Sequence, residues 1–302
     1  MTDLGTVAPD SGVVLPQQPV ATPRRHLLRG LLRDRTAVLG LVIVTALSLA
    51  ALLAPVLSRH DPNAVDVSRK FLSPSRQFPL GTDHLGRDVL SRILAGGRLS
   101  IGSTLVATTA VALIGLVVGM LTGYLGGVVD ILFSRLIDIV SALPTILLAL
   151  AITAVLGIGL RNVLIAIVAA SWPTYARVVR AAVLAEREKD YVESARAAGA
   201  STARVFRRHL LPNIIGPVVV VTTLELGIML LQISALSFLG LGVRPPAAEW
   251  GAMLSEGRTY LSRAPNMMLF PGAAIFLMVL GFNLLGDGLR DLIDPRVTSS
   301  RR

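Results

Sequence analysis

The chain has 302 residues, of which 53% are hydrophobic and only 16% are charged, and its mean hydropathy is +0.67. This composition excludes an ordinary soluble domain, and the absence of cysteine excludes disulfide bonds and thiolate metal sites. The formal net charge of +10 is typical of a protein that contacts membrane headgroups, and no sequence feature indicates nucleic-acid binding.

Six windows of the sequence are apolar enough, and at about 20 residues long enough, to cross a membrane. They cover residues 37–57, 101–125, 136–157, 162–184, 214–241 and 267–289. Lipid cannot satisfy exposed backbone N–H and C=O groups, so each window is predicted to be helical. The sequence therefore predicts an all-α membrane protein with six transmembrane helices.

Basic residues predict the orientation of these helices. Five arginines precede the first window, and 18 of the 29 Lys and Arg residues fall on the side of the membrane that holds the N-terminus. We therefore expect both termini to be cytoplasmic. The resulting division is a disordered tail at 1–35, the first span at 36–57, an extracytoplasmic segment at 58–99, a five-span core at 100–296 and a cytoplasmic C-terminal tail at 297–302.

Two predicted extracytoplasmic segments combine charged and apolar residues. Residues 86–99 alternate apolar and charged side chains, with Asp88 and Arg92 four apart, which predicts an amphipathic helix at the outer interface. Trp250 stands where an aromatic belt residue is expected. The charged residues around it are predicted to form a solvated loop that can contact a binding protein; they are Glu249, Glu256, Arg258 and Arg263.

Small residues and prolines mark special positions within the spans. Gly115, Gly119 and Gly123 repeat every four residues, which predicts a bare helix face that a second helix can approach closely. Pro144 and Pro173 each remove a backbone donor and predict kinks in the third and fourth spans.

Ionisable residues inside the spans are candidate functional groups because they are costly to place in lipid. Arg135 and Asp138 lie three residues apart and are predicted to form a structural ion pair, with a gating role as the alternative. Glu225 is predicted to line a pathway or to make an interhelical contact. The two lysines, Lys70 and Lys189, do not follow glycine, so no phosphate-binding loop is present and no cofactor or metal site is predicted.

A polar segment at 186–213 interrupts the apolar sequence on the predicted cytoplasmic side. Good helix formers run from Glu186 to Ala198, Gly199 is suited to a left-handed helix end, and Ser201 or Thr202 can cap a second short helix that Pro212 ends. The pattern predicts a hairpin of two helices. Two apolar faces are expected on it, Val192 with Ala195 and Gly199, and Val205 with Phe206 and Leu210.

This hairpin resembles the EAA loop of bacterial ABC-importer permeases. "ESARAAG" followed by "HLLPN" is similar to the Glu-Ala-Ala, three residues, Gly pattern with a later Leu-Pro, although Ser194 stands where Ala is usual. The resemblance implies that the hairpin is a coupling helix that docks on an ATPase subunit. The docking residues that it implies are Glu193, Ser194, Ala195, Ala198, Gly199, Leu211 and Pro212.

Three further segments resemble the C-type permeases of dipeptide and oligopeptide importers, a group that includes nickel permeases. They are "PLGTDHLGRDVLSRILAGGRLS", "LSFLGLGVRPPAAEWGAML" and "GDGLRDLIDPR". One departure is Gln232-Ile233, where relatives commonly carry an acidic residue before "LSFLGLG".

This family resemblance implies half of a translocation pathway in the bacterial plasma (inner) membrane. The partners that it implies are a homologous second permease, two ABC ATPase domains that bind ATP and Mg, an extracytoplasmic binding protein, and a short peptide as cargo. Nickel, haem or another small cargo remains an alternative. A stand-alone secondary transporter or channel is a different class of function, and it predicts internal repeats, which the sequence does not display.

Overall fold

The structure, a computed structural model, describes residues 30–293, so the tails predicted at the two ends fall largely or wholly outside it. In the part of the chain that it describes, every regular element is helical, apart from one isolated antiparallel bridge between Thr82 and Asp88. The helices are α1 (Arg35–Leu52), α2 (Ala54–Leu57), α3 (Val89–Leu125), α4 (Gly127–Ser141), α5 (Thr145–Leu156), α6 (Leu160–Arg187), α7 (Asp190–Ala197), α8 (Thr202–Val205), α9 (Leu211–Phe238), α10 (Trp250–Gly257) and α11 (Asn266–Ile293).

Five helical segments are long and apolar enough to span a membrane, and the bent pair α4 and α5 makes a sixth. The prediction of an all-α, six-span fold is confirmed. The third span is nevertheless broken, because α4 and α5 meet at 84°. Pro144 adopts an extended conformation (ψ 131°), it cannot donate a helical hydrogen bond, and it disfavours helix at Leu143. The sequence predicted only a kink there, whereas α6 continues through Pro173.

The glycine ladder of α3 packs against α6, as predicted. A Cβ atom added at Gly119 would lie 2.6 Å from Val179 Cβ, and one at Gly123 would lie 2.8 Å from Val183 Cβ. The residue numbers rise together along both helices, so α3 and α6 run parallel. Glycine has no Cβ atom, and this allows the close approach of the two helices. The approach stabilises the pair, since dispersion contacts between backbones hold helices together in lipid.

The first and last helices run antiparallel and close the bundle. Gly40 of α1 lies against the backbone of α11, where an added Cβ would be 2.7 Å from the Leu285 nitrogen. Further along, Gly281 lies against Val44 of α1, so the start of α1 and the end of α11 share one end of the bundle. The start of α11 is at the other end, where the Asn266 amide donates to the Leu80 carbonyl over 2.8 Å.

These contacts give the bundle two distinct ends. Residues 58–88 and α10 form a cap, which we call the outer cap, over the beginnings of α3 and α11. The 186–213 hairpin lies at the opposite end, where Arg187 Nη1 donates to the carbonyl of Gly123 over 2.9 Å. The structure therefore separates the two segments that the sequence assigns to opposite sides of the membrane.

The segment 86–99 is not a separate interfacial helix, contrary to the sequence prediction. From Val89 it continues into the second span as one helix of 37 residues, about 55 Å long. Much of its polar face is covered and part of its apolar face is not, since Arg92 is 1% exposed and Leu99 is 37% exposed. The physical reason is that the outer cap supplies ionic partners to Arg92. At a membrane interface, lipid headgroups would have to supply those partners instead.

Candidate functional site

The hairpin has two arms that differ from the predicted pair. Helix α7 ends at Ala197, and Gly199 has a φ of +77°, which confirms the predicted left-handed helix end. Ser201 precedes α8 without a side-chain capping bond. The prediction that Pro212 ends the second helix is wrong: a π-helical turn over Phe206–Leu210 joins α8 to α9, and Pro212 lies in the first turn of α9. Proline has no N–H to donate, and the hydrogen-bond register changes in the π-helical turn directly before it.

The exposed surface of the hairpin is polar and small. Of the predicted docking residues, five are exposed and two are half-buried: Glu193, Ser194, Ala198, Gly199 and Pro212 face outwards, and Ala195 and Leu211 are partly covered. No atom lies within 4 Å of a Cβ built at Gly199. The structure thus leaves this surface free within the chain.

The interior of the hairpin is held by apolar contacts. Val192, predicted to share a face with Gly199, is instead fully buried in a cluster with Val179 and Val183 of α6. Val205 and Leu210 are also fully buried in that cluster, so the second predicted apolar face is an internal one. Helical spacing predicted which residues share a face, but it could not show whether that face meets another protein or the chain's own spans.

The outer cap contains a cluster of buried ion pairs that sequence reasoning missed. Arg87 Nε donates to Asp83 Oδ2 over 2.6 Å, and Arg87 Nη2 donates to Glu256 Oε2, also over 2.6 Å. Arg92 Nη2 donates to the same Glu256 oxygen over 3.1 Å. Two guanidinium groups and two carboxylates therefore balance in charge. We call Asp83, Arg87, Arg92 and Glu256 the outer ion cluster.

Capping groups around the cluster also differ from the prediction. Asp88 does not pair with Arg92; it caps α3 and accepts from the Ser91 hydroxyl over 2.6 Å. Glu249 is fully buried, because it caps α10 and accepts from the Ser100 hydroxyl over 3.0 Å. The prediction of a solvated loop is therefore wrong for Glu249 and Glu256.

Trp250 is a core residue and not an aromatic belt residue. It is 2% exposed, and its indole nitrogen donates to the Ile93 carbonyl over 3.0 Å. Gly97 makes room for it, since an added Cβ there would lie 3.0 Å from Trp250 Cζ2. The indole therefore joins the start of α10 to the start of α3.

A metal ion does not fit the outer cap. Among residues 30–293, one group of acidic and histidine side chains has ligand atoms within 4.8 Å of one another, namely Asp83, His84 and Glu256. Both carboxylates already bind guanidinium groups, whose positive charges repel a cation. Burial lowers the pKa of His84, which favours the neutral ring, so the cluster keeps its balance of two acids and two arginines.

The predicted ion pair between Arg135 and Asp138 does not form. Both side chains are exposed, and neither makes an ion pair with any residue that the structure describes. Asp130 forms the equivalent contact instead: its two carboxylate oxygens accept from Arg180 Nε and Nη2 over 2.6 and 2.7 Å. This bidentate pair joins α4 to α6, so it links neighbouring helices and not two turns of one helix.

Glu225 lies half-buried in α9 and makes no hydrogen bond or ion pair within the described part of the chain. Both predicted roles for Glu225, in a pathway or between helices, therefore stay open.

Comparison with known proteins identifies the family. A family model described as a binding-protein-dependent transport system inner membrane component matches residues 115–299. A second, described as the N-terminal TM domain of oligopeptide transport permease C, matches residues 22–74. The chain belongs to the permease family of ABC importers.

Curated relatives match almost the whole chain. The dipeptide transport system permease protein DppC of Alkalihalophilus pseudofirmus is 41% identical over 98% of this chain and 97% of its own length. The nickel transport system permease protein NikC of Escherichia coli K12 is 43% identical over 86% and 94%. The glutathione transport system permease protein GsiD of Pectobacterium atrosepticum is 42% identical over 95% of both chains.

Among solved structures, an inward-facing MetNI methionine ABC transporter is 22% identical over 65% of this chain and 95% of its own, with a TM-score of 0.49.

The family assignment confirms the resemblance seen in the hairpin and the three other segments. The chain is accordingly a permease component and not the ATPase of such a system, and the importer hypothesis is favoured over a stand-alone transporter or channel.

Proposed function

We propose that the chain is one of two homologous permease subunits in an ATP-driven importer of short peptides. The proposed complex holds a second, different permease, two ABC ATPase domains that bind ATP and Mg, and an extracytoplasmic binding protein. It lies in a bacterial plasma membrane with both termini in the cytoplasm. No cofactor is assigned to this chain, and ATP hydrolysis belongs to the partner.

The observation that carries this proposal is the exposed, small-residue surface of α7, a helix whose opposite side is buried against the bundle. Glu193 and Ser194 of α7 and Gly199 just beyond it are exposed, while Val192 anchors the helix from behind. A surface of small side chains lets a partner's groove approach the backbone, and a rooted helix can pass a displacement to the spans. We propose this surface, with Ala195, Ala198, Leu211 and Pro212, as the ATPase-docking site.

Peptide is the proposed cargo because relatives named for dipeptide, glutathione and peptide transport match at about 40% identity over most of the chain. Nickel is the second candidate, since a relative named for nickel transport is 43% identical. Uptake of a radiolabelled dipeptide and of radioactive nickel into vesicles that contain the whole importer distinguishes the two. Accumulation of nickel without peptide would refute the peptide assignment.

The docking surface is tested by substituting two glycines that both have a positive φ angle. Gly199 and Gly240 have φ values of +77° and +86°, and a Cβ at either would meet no atom within 4 Å. Valine strains both positions equally, but Gly240 lies beyond the far end of α9. We expect Gly199→Val to lose ATPase capture in a pull-down and ATP-dependent uptake, while Gly240→Val keeps the capture.

Equal capture by both variants would refute docking at the hairpin. Loss of capture in both would point to general misfolding of glycine variants and would equally remove the support for this surface. Glu193→Ala should have a milder effect, because it removes one polar contact from a surface that the small residues dominate.

A further inference from the structure

Three polar side chains connect the hairpin to both membrane helices that flank it. Glu186 lies in the last turn of α6, Tyr191 in the first turn of α7 and Asn213 in the first turn of α9. The Tyr191 hydroxyl donates to Glu186 Oε1, and the Asn213 amide donates to the Tyr191 oxygen over 3.1 Å. One hydroxyl group therefore joins the end of one span to the start of another.

Each member of this connection is itself fixed. The second carboxylate oxygen of Glu186 accepts from Lys189 Nζ over 2.7 Å, and Glu186 is only 8% exposed. Asn213 also donates to the His209 carbonyl over 2.6 Å, which sets the orientation of its amide. The ring of Tyr191 lies 5.9 Å from that of His209. The hydroxyl thus sits between two groups that have little freedom to turn away.

The protonation state of Tyr191 suits this arrangement. Burial and the hydrogen bond to the Glu186 carboxylate raise the pKa of the Tyr191 hydroxyl well above its ordinary value. The hydroxyl therefore keeps its proton at neutral pH, donates it to the carboxylate, and offers its lone pair to the amide. The two hydrogen bonds of the connection, from Tyr191 to Glu186 and from Asn213 to Tyr191, are therefore compatible.

The backbone has a short break between α6 and α7. Helix α6 ends at Arg187 and α7 begins at Asp190, and Lys189, which precedes α7, makes no side-chain capping bond. Such a break can bend, so a push on α7 could be absorbed there. The buried Val192 resists separation but carries no directional bond.

We propose that the Tyr191 hydroxyl, held between Glu186 and Asn213, is a positioning group that makes α7 move as one body with α6 and α9. Displacement of α7 by the ATPase then reaches both spans together. This inference rests on the proposed function, in which α7 is the ATPase-docking helix. It assigns to the Tyr191 hydroxyl a role in transmission, whereas Glu193, Ser194 and Gly199 belong to the proposed docking surface.

Tyr191→Phe removes one oxygen and retains the ring that packs beside His209. Tyr124 offers a matched control: it lies near the hairpin, its ring contacts Phe206 at 4.7 Å, and its hydroxyl makes no hydrogen bond within residues 30–293. The whole importer is reconstituted in vesicles with each variant. The measurements are ATPase capture, the rate of ATP hydrolysis with liganded binding protein, and uptake of a radiolabelled dipeptide.

We expect Tyr191→Phe to capture the ATPase and hydrolyse ATP, but to import about tenfold less peptide per ATP, since a hydrogen bond to a charged group is worth about a factor of ten in an equilibrium. Tyr124→Phe should match the wild type. Glu186→Gln keeps an acceptor for the hydroxyl and should be milder than Glu186→Leu. A merely structural role would lower capture, hydrolysis and uptake together.

An unchanged ratio of peptide to ATP in Tyr191→Phe would overturn the proposal, and so would loss of ATPase capture in that variant. Failure of the wild-type importer to capture the ATPase would instead refute docking at α7 and, with it, the transmission that depends on docking. The wild-type arm therefore separates failure of the proposed function from failure of this inference.

Discussion

Alanine at Gly119 is expected to force α3 and α6 apart at the centre of the glycine ladder. The new Cβ would lie 2.6 Å from Val179 Cβ and 2.7 Å from the Ala176 carbonyl oxygen. Ordinary contacts between carbon atoms are about 3.5–4.0 Å, so the helices must separate by roughly 1 Å. One of the two obstacles is a backbone atom, and a side-chain rotation cannot relieve that contact.

Overpacking of this kind costs about 1–3 kcal/mol, and the better helix propensity of alanine returns about 1 kcal/mol of it. We therefore expect Gly119→Ala to lower the free energy of unfolding by up to about 2 kcal/mol, and the melting temperature by about 2–4 °C for each kcal/mol. Thermal unfolding of the purified protein in detergent measures this change.

Gly102 of the same helix is the control. A Cβ built there meets no atom within 4 Å, so Gly102→Ala should have a melting temperature equal to or above that of the wild type. Melting temperatures that agree between Gly119→Ala and Gly102→Ala would show that the ladder does not set the distance between the two helices, and the packing argument would then be wrong.

Three further outcomes are expected. Glu256→Gln leaves the two arginines of the outer ion cluster with a single carboxylate and should lower the free energy of unfolding by on the order of 3 kcal/mol. Glu188→Gln, at an exposed position, should change it little, and equal melting temperatures of the two variants would contradict this expectation. Glu225→Gln should retain more uptake than Glu225→Leu, since the amide keeps part of the bonding capacity, and full activity of both variants would contradict a buried polar role. Single cysteines at the exposed Ser75 and Ser201 should react differently with an impermeant reagent in intact cells, and equal labelling would refute the six-span topology.

Hydropathy and backbone chemistry were sufficient to predict the spans and the outline of the hairpin. The six windows follow from length and apolarity alone, and Gly199 follows from the conformational freedom of glycine, because both are local properties of the chain. The glycine ladder of α3 was likewise predicted as a packing face, although the sequence did not identify α6 as its partner.

Properties that depend on distant partners were not predictable from local patterns. Arg92 was assigned to an interface because its helix is amphipathic, but Glu256, which neutralises it, lies 164 residues further along the chain. Val192 was assigned to a docking face because of its spacing, but the α6 residues that cover it are not helical neighbours in sequence. The broken third span was predictable only in part. Pro144 predicted an irregularity there, but not the angle between α4 and α5.

The outer ion cluster also constrains the order in which the chain can assemble during synthesis. Arg87 is synthesised 169 residues before Glu256, so four further spans are made before Glu256, its second carboxylate partner, is available. Until α10 arrives, the two guanidinium groups have only Asp83 as an anionic partner in the cluster and need water to complete their solvation. The cap is therefore a late step in biogenesis, and a chain that stops before residue 256 would present an open, positively charged outer end.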